Sequence, residues 1–308
     1  MISVVTLNPA VDKTVGASSL FIGEVNRMNT VKNLAGGKGV NVCKVLRTLG
    51  MDVRALGLCG GYAGKSITDY LSHIGAIDAF SEIREETRTN INVISEEGVV
   101  TEILEPGPTI RKEEWEQFLR GYEAALLQTD YMILSGSIPK GLETDTYRKL
   151  IHLATQKGVP VLLDTSGPSL KEGIEAMPFM VKPNKKELET LLGEKLETLS
   201  DIRKGALYLR EKGIPHVLVS MGSMGMLYAC ENRVLYAKAP HIKVANTVGS
   251  GDSAVAAFAY AKKNGLSMEE ILAFCVAVSA ANVTTLDSAV IPMDKAKELL
   301  EQIETEEI

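Results

Sequence analysis

The chain opens on an apolar run, Ile2-Ser-Val-Val-Thr-Leu7, closed at once by Asn8-Pro9. A run of that length with that ending predicts a buried strand giving way to a loop. Residues 13–31 alternate only weakly and have no helical period, which predicts short strands that leave the main body. Val40, Val42, Cys43, Val45, Leu46 and Leu49 are spaced as one face of a helix over 38–49, beginning just after Gly36-Gly37. A strand over 52–58 and a helix over 64–73 follow. Residues 79–104 break the rhythm, because Ile91–Ser95 and Val99–Leu104 are β-rich runs around Glu96-Glu97-Gly98, the composition of a hairpin turn.

From residue 111 onward helical spacings and apolar runs alternate regularly. Helix 111–127 precedes strand 131–135, helix 144–157 precedes strand 159–163, and a short helix after Pro168 precedes strand 179–181. Helices over 185–192 and 201–212 lead to a strand over 216–220, and long helices fill 252–264, 268–283 and 293–303. Ile271, Phe274 and Val278, like Leu299, Leu300 and Ile303, are helix core stripes, and Trp115 lies on an amphipathic helix. The alternation predicts an α/β fold, with βαβ units around a doubly wound, mostly parallel sheet flanked by helices. The β-rich inserts at about 13–31 and 79–104 are expected to fold together as a small lid. No repeat, low-complexity tract or linker interrupts residues 1–308, so a single domain carrying that lid is expected.

At 308 residues, 45% hydrophobic and 23% charged, the chain has ordinary globular composition. Its net charge of −6 changes the picture more. It argues against whole-surface attraction to nucleic acid or an anionic membrane, so an anionic substrate would need cations gathered locally. Cys43, Cys59, Cys230 and Cys275 form no C-x-x-C pair and adjoin no His, which fits neither a zinc site nor a disulfide framework. Met1–Leu7 lacks the basic flank of a signal peptide and no stretch reaches membrane-span length, so a cytoplasmic setting is expected.

Four Gly-rich or helix-opening segments have the composition of an anion contact. Thr247-Val-Gly-Ser-Gly-Asp-Ser253 directly precedes an apolar helix, whose N-terminal amides attract negative charge. There Asp252 reads either as a helix N-cap or as a carboxylate placed to accept a proton beside a stabilised phosphoryl group. Ala35-Gly-Gly-Lys-Gly-Val-Asn41 is not a Walker A loop, yet it opens a helix, and Lys38 is either solvated or a phosphate contact. Ser220-Met-Gly-Ser-Met-Gly225 reads as a nucleotide contact or as a Gly-rich hairpin. Lys182-Pro-Asn-Lys-Lys-Glu187 reads as a capping box between Asn184 and Glu187, or as an amide and carboxylate ordering a hydrated Mg²⁺. Asp12, at the end of the first strand, and Arg88, in the suspected lid, are each either solvated or ligand-facing.

Together these segments resemble the ribokinase-like (PfkB-type) carbohydrate kinases. The matching pieces are Thr6-Leu-Asn-Pro-Ala-Val-Asp12, Gly36-Gly-Lys-Gly-Val-Asn41, Thr87-Arg88, Ser135-Gly-Ser-Ile-Pro139, Lys182-Pro-Asn-x-x-Glu187, Ser220-x-Gly-x-x-Gly225 and Val248-Gly-Ser-Gly-Asp252, in the family's order. The opening and the GGKGVNV segment are similar to the subgroup acting on ketohexose phosphates, the 1-phosphofructokinases and tagatose-6-phosphate kinases. Thr101-Glu-Ile-Leu-Glu-Pro-Gly107 has the flavour of the latter, and Asn90 and Asn92 look more like the former.

The resemblance implies an ATP-dependent kinase acting on a small sugar phosphate, fructose 1-phosphate being favoured, with Asp252 as catalytic base and the Gly249, Ser250 and Gly251 amides holding the transferred phosphoryl group. By the same carry-over Asp12, Gly37, Gly39, Asn41, Asn90 and Ser137 would hold the sugar, and Lys38, Arg88 and Arg27 its phosphate. Lys182, Asn184, Ser220, Gly222, Ser223, Gly225, Gly251 and Asn282 would face ATP, and Glu187 would organise Mg²⁺ through water. The lid would exclude water and build a homodimer. Two other classes compete. A non-catalytic sugar-phosphate sensor would not need Asp252, and a dinucleotide-binding oxidoreductase would need a G-x-G-x-x-G after the first strand, which is absent.

Overall fold

The computed structural model describes residues 1–96 and 99–308, so Glu97 and Gly98 of the expected hairpin turn lie outside the described residues. The first third of the chain contains β1 (Ile2–Thr6), β2 (Ala10–Ala17), β3 (Thr30–Gly36), α1 (Lys38–Thr48), β4 (Val53–Cys59), α2 (Gly61–His73), β5 (Ile77–Glu82), β6 (Arg88–Ser95) and β7 (Val100–Leu104). The middle contains α3 (Lys112–Leu126), β8 (Tyr131–Ser135), α4 (Thr146–Gln156), β9 (Val161–Asp164), α5 (Gly167–Ile174), β10 (Met180–Val181), α6 (Lys185–Leu192) and α7 (Leu199–Glu211). The last third adds β11 (His216–Ser220), β12 (Met226–Cys230), β13 (Arg233–Ala237), α8 (Ser250–Lys263), α9 (Met268–Asn282), α10 (Met293–Leu300) and β14 (Thr305–Glu307).

Among the described residues ten strands form one sheet in the order β14-β13-β12-β11-β10-β9-β8-β1-β4-β5. From β11 to β5 all neighbours are parallel, and β12, β13 and β14 add antiparallel strands at the other side. Both faces of the parallel part are covered, which is why its strands read as continuous apolar runs rather than alternating ones. Successive residues point to opposite layers: Val4, Ile133 and Leu162 join a core with α1, α2, α8, α9 and α10. Val5, Leu134 and Leu163 join a second core with α3 to α7. A fully buried leucine in such a layer is worth about 2–5 kcal/mol against truncation to alanine.

Four strands form a second sheet, ordered β3-β2-β6-β7, in which β2 and β6 are parallel and the outer pairs antiparallel. Its own core is small, built on Val15, Ala17 and Val93 with Met28 and Ile91 against them. The β-rich inserts expected at about 13–31 and 79–104 thus supply strands over Ala10–Ala17, Thr30–Gly36, Arg88–Ser95 and Val100–Leu104. Ile77–Glu82 instead pairs with β4 at the edge of the large sheet. Two further elements go beyond the expected pattern. Residues 226–237 form a hairpin antiparallel to β11, with Ser220 opposite Met226. The helix expected over 252–264 begins at Ser250, which puts Asp252 inside its first turn.

Candidate active site

The carboxyl ends of β1, β8, β9, β10 and β11 all emerge at one edge of the large sheet, where α/β folds expose ligand contacts. The N-termini of α1 and α8 meet there. Each is preceded by a glycine at positive φ, Gly37 at 95° and Gly249 at 84°, and neither helix has a side-chain cap. Ser250 N donates to Thr247 O at 3.4 Å, while the Gly251 and Asp252 amides of the first turn have no partner within the helix and are free to bind an anion. The N-cap position of α8 belongs to Gly249, so Asp252 does not cap the helix. Its Oδ2 accepts a hydrogen bond from Asn41 Nδ2 at 2.9 Å.

Near Asp252 lies a charge cluster in which Asp164 and Lys182 are buried and Lys38 is partly exposed. Lys38 Nζ and Lys182 Nζ both reach Asp164 Oδ1, at 3.3 and 3.2 Å, and Asp164 Oδ2 is buried without a partner. Burial alone would raise the Asp164 pKa, but Lys182 and then Lys38 outweigh it and hold the carboxylate low. The same carboxylate raises Lys38 above the ordinary lysine value. Asp252 moves the other way. Burial, followed by repulsion from Asp164, raises it from 3.8 to about 6, against Lys38, the Asn41 amide and Lys182. A carboxylate so poised suits proton transfer near neutral pH.

The small sheet closes the opposite wall. Register sets Asp12 beside Asn90, whose Nδ2 donates to Asp12 Oδ1 at 2.9 Å. Burial raises Asp12, and the Asn90 hydrogen bond, Lys44 and Arg88 oppose that rise. Arg88 donates to the carbonyls of Asn8 and Glu105, at 3.2 and 3.3 Å, and its Nε is buried without a partner, as are Asn90 Oδ1 and Asn92 Oδ1. Unsatisfied polar atoms of this kind suit a polar ligand.

The walls enclose a cavity of about 490 Å³, in the range of small-molecule sites. Of the residues singled out in the sequence, Asp12, Arg88 and Asn90 of the small sheet and Gly37, Lys38 and Asn41 at the start of α1 line it. So do Lys182, Asn184, Glu187, Ser220 and Gly249 to Asp252. Asn184 and Glu187 do form the capping box, each side chain accepting from the other's backbone N–H at 2.8 Å. Glu187 Oε2 is engaged there.

Other candidates stand apart. Arg27 is exposed in the segment between β2 and β3. Gly39 is buried where a side chain would collide with Thr6, and Ser137 accepts from Asn8 Nδ2 at 3.1 Å. Gly222, Ser223 and Gly225 form the turn of the β11–β12 hairpin, so that segment has the hairpin form, with Ser220 alone reaching the cavity. Asn282 is buried beside the loop before α8, where its amide is taken up by Val248 O and Ala289 N at 2.9 and 2.8 Å. Sequence reasoning missed Asp164 and Lys44, and also Glu102 and Leu104, which line the cavity from β7. A larger cleft, about 700 Å³, contains Asp78, Glu82 and Glu86 against Lys65 alone, the wrong balance for an anion.

Two helix N-termini, a gathered set of cations and the raised carboxylates Asp12 and Asp252 facing a common cavity suit phosphoryl transfer to a hydroxyl, so the site defines a phosphotransferase class. The model of the pfkB family carbohydrate kinases matches residues 3–295, and the chain belongs to that family. It is 35% identical over 303 residues to the 1-phosphofructokinase of Bacillus subtilis (strain 168), covering 98% of each protein. Among solved structures it resembles phosphofructokinase-2 from Escherichia coli in complex with potassium, with TM-score 0.91, 27% identity and 98% of each chain covered. It also resembles a Thermotoga maritima protein described as a possible 1-phosphofructokinase, with TM-score 0.90, 29% identity and coverage of 100% and 99%.

Proposed function

We propose that this chain is an ATP-dependent kinase that phosphorylates a ketohexose monophosphate, converting fructose 1-phosphate to fructose 1,6-bisphosphate. The observation that carries this reading is Asp252, which faces the same cavity as the first-turn amides of α8 and the cations Lys38, Lys182 and Arg88. The Bacillus subtilis relative supports the choice of substrate. In this reading Asp252 takes the proton from the sugar hydroxyl as that oxygen bonds to the γ-phosphorus of ATP and the bond to ADP breaks. The Gly249, Ser250 and Gly251 backbone holds the transferred group, so charge is met by fixed dipoles rather than water. Asp12, Asn41 and Asn90 orient the sugar, and Lys38 and Arg88 hold its phosphate. Lys182, Asn184 and Ser220 face the nucleotide.

Mg²⁺ is the expected companion of the nucleotide, because it keeps several waters and binds mostly through phosphate oxygens, needing few protein ligands. Glu187 would hold it through water, and the ion would neutralise charge on the phosphates. We assign the small sheet as a lid and as the interface of a homodimer, because Val31 and Ile103 on its outer strands and Val99 just before β7 are exposed and apolar, together with the exposed Phe21 and Ile22 before β3. A tetrameric inhibited form is known for the Escherichia coli phosphofructokinase-2 relative. The four cysteines are free and buried, in keeping with a reducing cytoplasm.

Initial rates at sub-saturating sugar test the substrate. The kcat/KM should be highest for fructose 1-phosphate, lower for tagatose 6-phosphate and fructose 6-phosphate, and negligible for free fructose. Comparable efficiency on free fructose would overturn the role given to Lys38 and Arg88, and a preference for tagatose 6-phosphate would replace the substrate.

A further inference from the structure

Lys44 lies one helical turn after Asn41 on α1 and is 6% exposed, an uncommon state for a lysine. Its ammonium donates to Asn41 Oδ1 at 3.2 Å and lies 5.6 Å from the centroid of the Tyr70 ring. Asn41, itself 3% exposed, donates through Nδ2 to Asp252 Oδ2 at 2.9 Å. These three side chains form a directed chain. An ammonium has donors and no acceptor, so the amide must turn its oxygen to Lys44. Its nitrogen is then committed to Asp252.

Without that ammonium the amide is free to rotate by half a turn. Its oxygen would then face the carboxylate, and an acceptor in that place favours the protonated acid. We propose that Lys44 is a positioning residue that fixes the Asn41 amide so that it donates to the Asp252 carboxylate and keeps that carboxylate ionised in the working pH range. The proposal deepens the reading of Asp252 as the base. Lys44 itself does not line the cavity that holds Asp252; it lines a separate small cleft beside Arg47 and Tyr70.

The charged groups around both ends are identifiable. Asp252 faces Lys38 from the start of α1, Asp164 from β9 and Lys182 from the end of β10. Lys44 feels Asp12 from β2, Asp252 from α8, Asp287 from the loop after α9 and its neighbour Cys43. Burial lowers Lys44 to about 8 despite those carboxylates, so it is charged wherever Asp252 titrates. None of these groups is removed by replacing Lys44.

The test compares wild type with Lys44→Met, Lys44→Leu and Lys44→Arg by two readouts. One is titration of the Asp252 carboxyl carbon by ¹³C NMR in the free protein, assigned with Asp252→Asn, which does not depend on turnover. The other is the acidic limb of the kcat/KM profile, in which ionisation of the sugar phosphate is common to all variants. Met and Leu both fill the space of the lysine stem without a donor, so Leu serves if Met does not fold. Met and Leu, which have no donor for Asn41 Oδ1, should raise the Asp252 midpoint by about one pH unit, the size of a lost charge-assisted hydrogen bond, and Arg should restore it. A folded Met or Leu variant whose titration overlays wild type would overturn the proposal, even if its kcat fell, because packing alone would explain the fall. Absence of turnover in wild type would overturn the kinase reading instead, and the NMR midpoint would still decide the role of Lys44.

Discussion

At Asp252 influences of opposite sign meet. Burial and the Asp164 carboxylate raise its pKa to about 6, while Lys38, the Asn41 amide and Lys182 pull it down. A carboxyl raised above its unfolded value costs stability once ionised: the cost is absent below the unfolded value near 3.8, grows as pH rises through about 6, and is constant above. Asp252→Asn should therefore melt at or above wild type at pH 7.5, with the difference shrinking by pH 4.5, as calorimetry would show. The same variant should bind both substrates and lose roughly 10²–10⁴ in kcat, the usual weight of a general base. Retention of more than about a third of kcat, with chemistry rate-limiting, would remove Asp252 from that role. Asp252 was legible from the sequence because two glycines and a helix start surround it. Asp164 and Lys44 were not. Asp164 ends an apolar strand, and its partners lie at positions 38 and 182, a juxtaposition that no local spacing encodes.

Gly251 shows how an element's N-terminus is kept open. A Cβ there would lie 3.1 Å from Lys182 Nζ. Alanine is the better helix former by about 1 kcal/mol, so Gly251→Ala should hold or raise the melting temperature. Its kcat should nevertheless fall at least about tenfold, one transition-state contact being worth that or more. Unchanged steady-state rates would mean that the phosphoryl group does not sit on this turn. In the small sheet, Ile103 is 52% exposed on an outer strand. Ile103→Lys should convert a dimer to a monomer in sedimentation velocity, and a wild-type monomer would refute the interface. The parallel strands were readable because burial on both faces makes them continuous apolar runs. The hairpin over 226–237 and the edge strand Ile77–Glu82 were not, since short strands at a sheet's margin have no period to distinguish them from loops.

Across the whole molecule the net charge is −6, yet Lys38, Lys182 and Arg88 gather around one cavity at the seam between the two sheets. The fold achieves this by bringing segments separated by most of the chain to one sheet edge, so an acidic protein presents a local site for anions. The family was legible from the order of the motifs, whereas the lining from Glu102 and Leu104 depends on how the small sheet folds over the large one. The central claim is transfer of the γ-phosphoryl group of ATP to a hydroxyl of an already phosphorylated ketose. Following ³¹P NMR while the protein is incubated with ATP, Mg²⁺ and fructose 1-phosphate tests it directly. The account predicts that fructose 1,6-bisphosphate and ADP appear in equal amounts, with little inorganic phosphate. ADP and inorganic phosphate without a new phosphate ester, or no consumption of ATP, would contradict it.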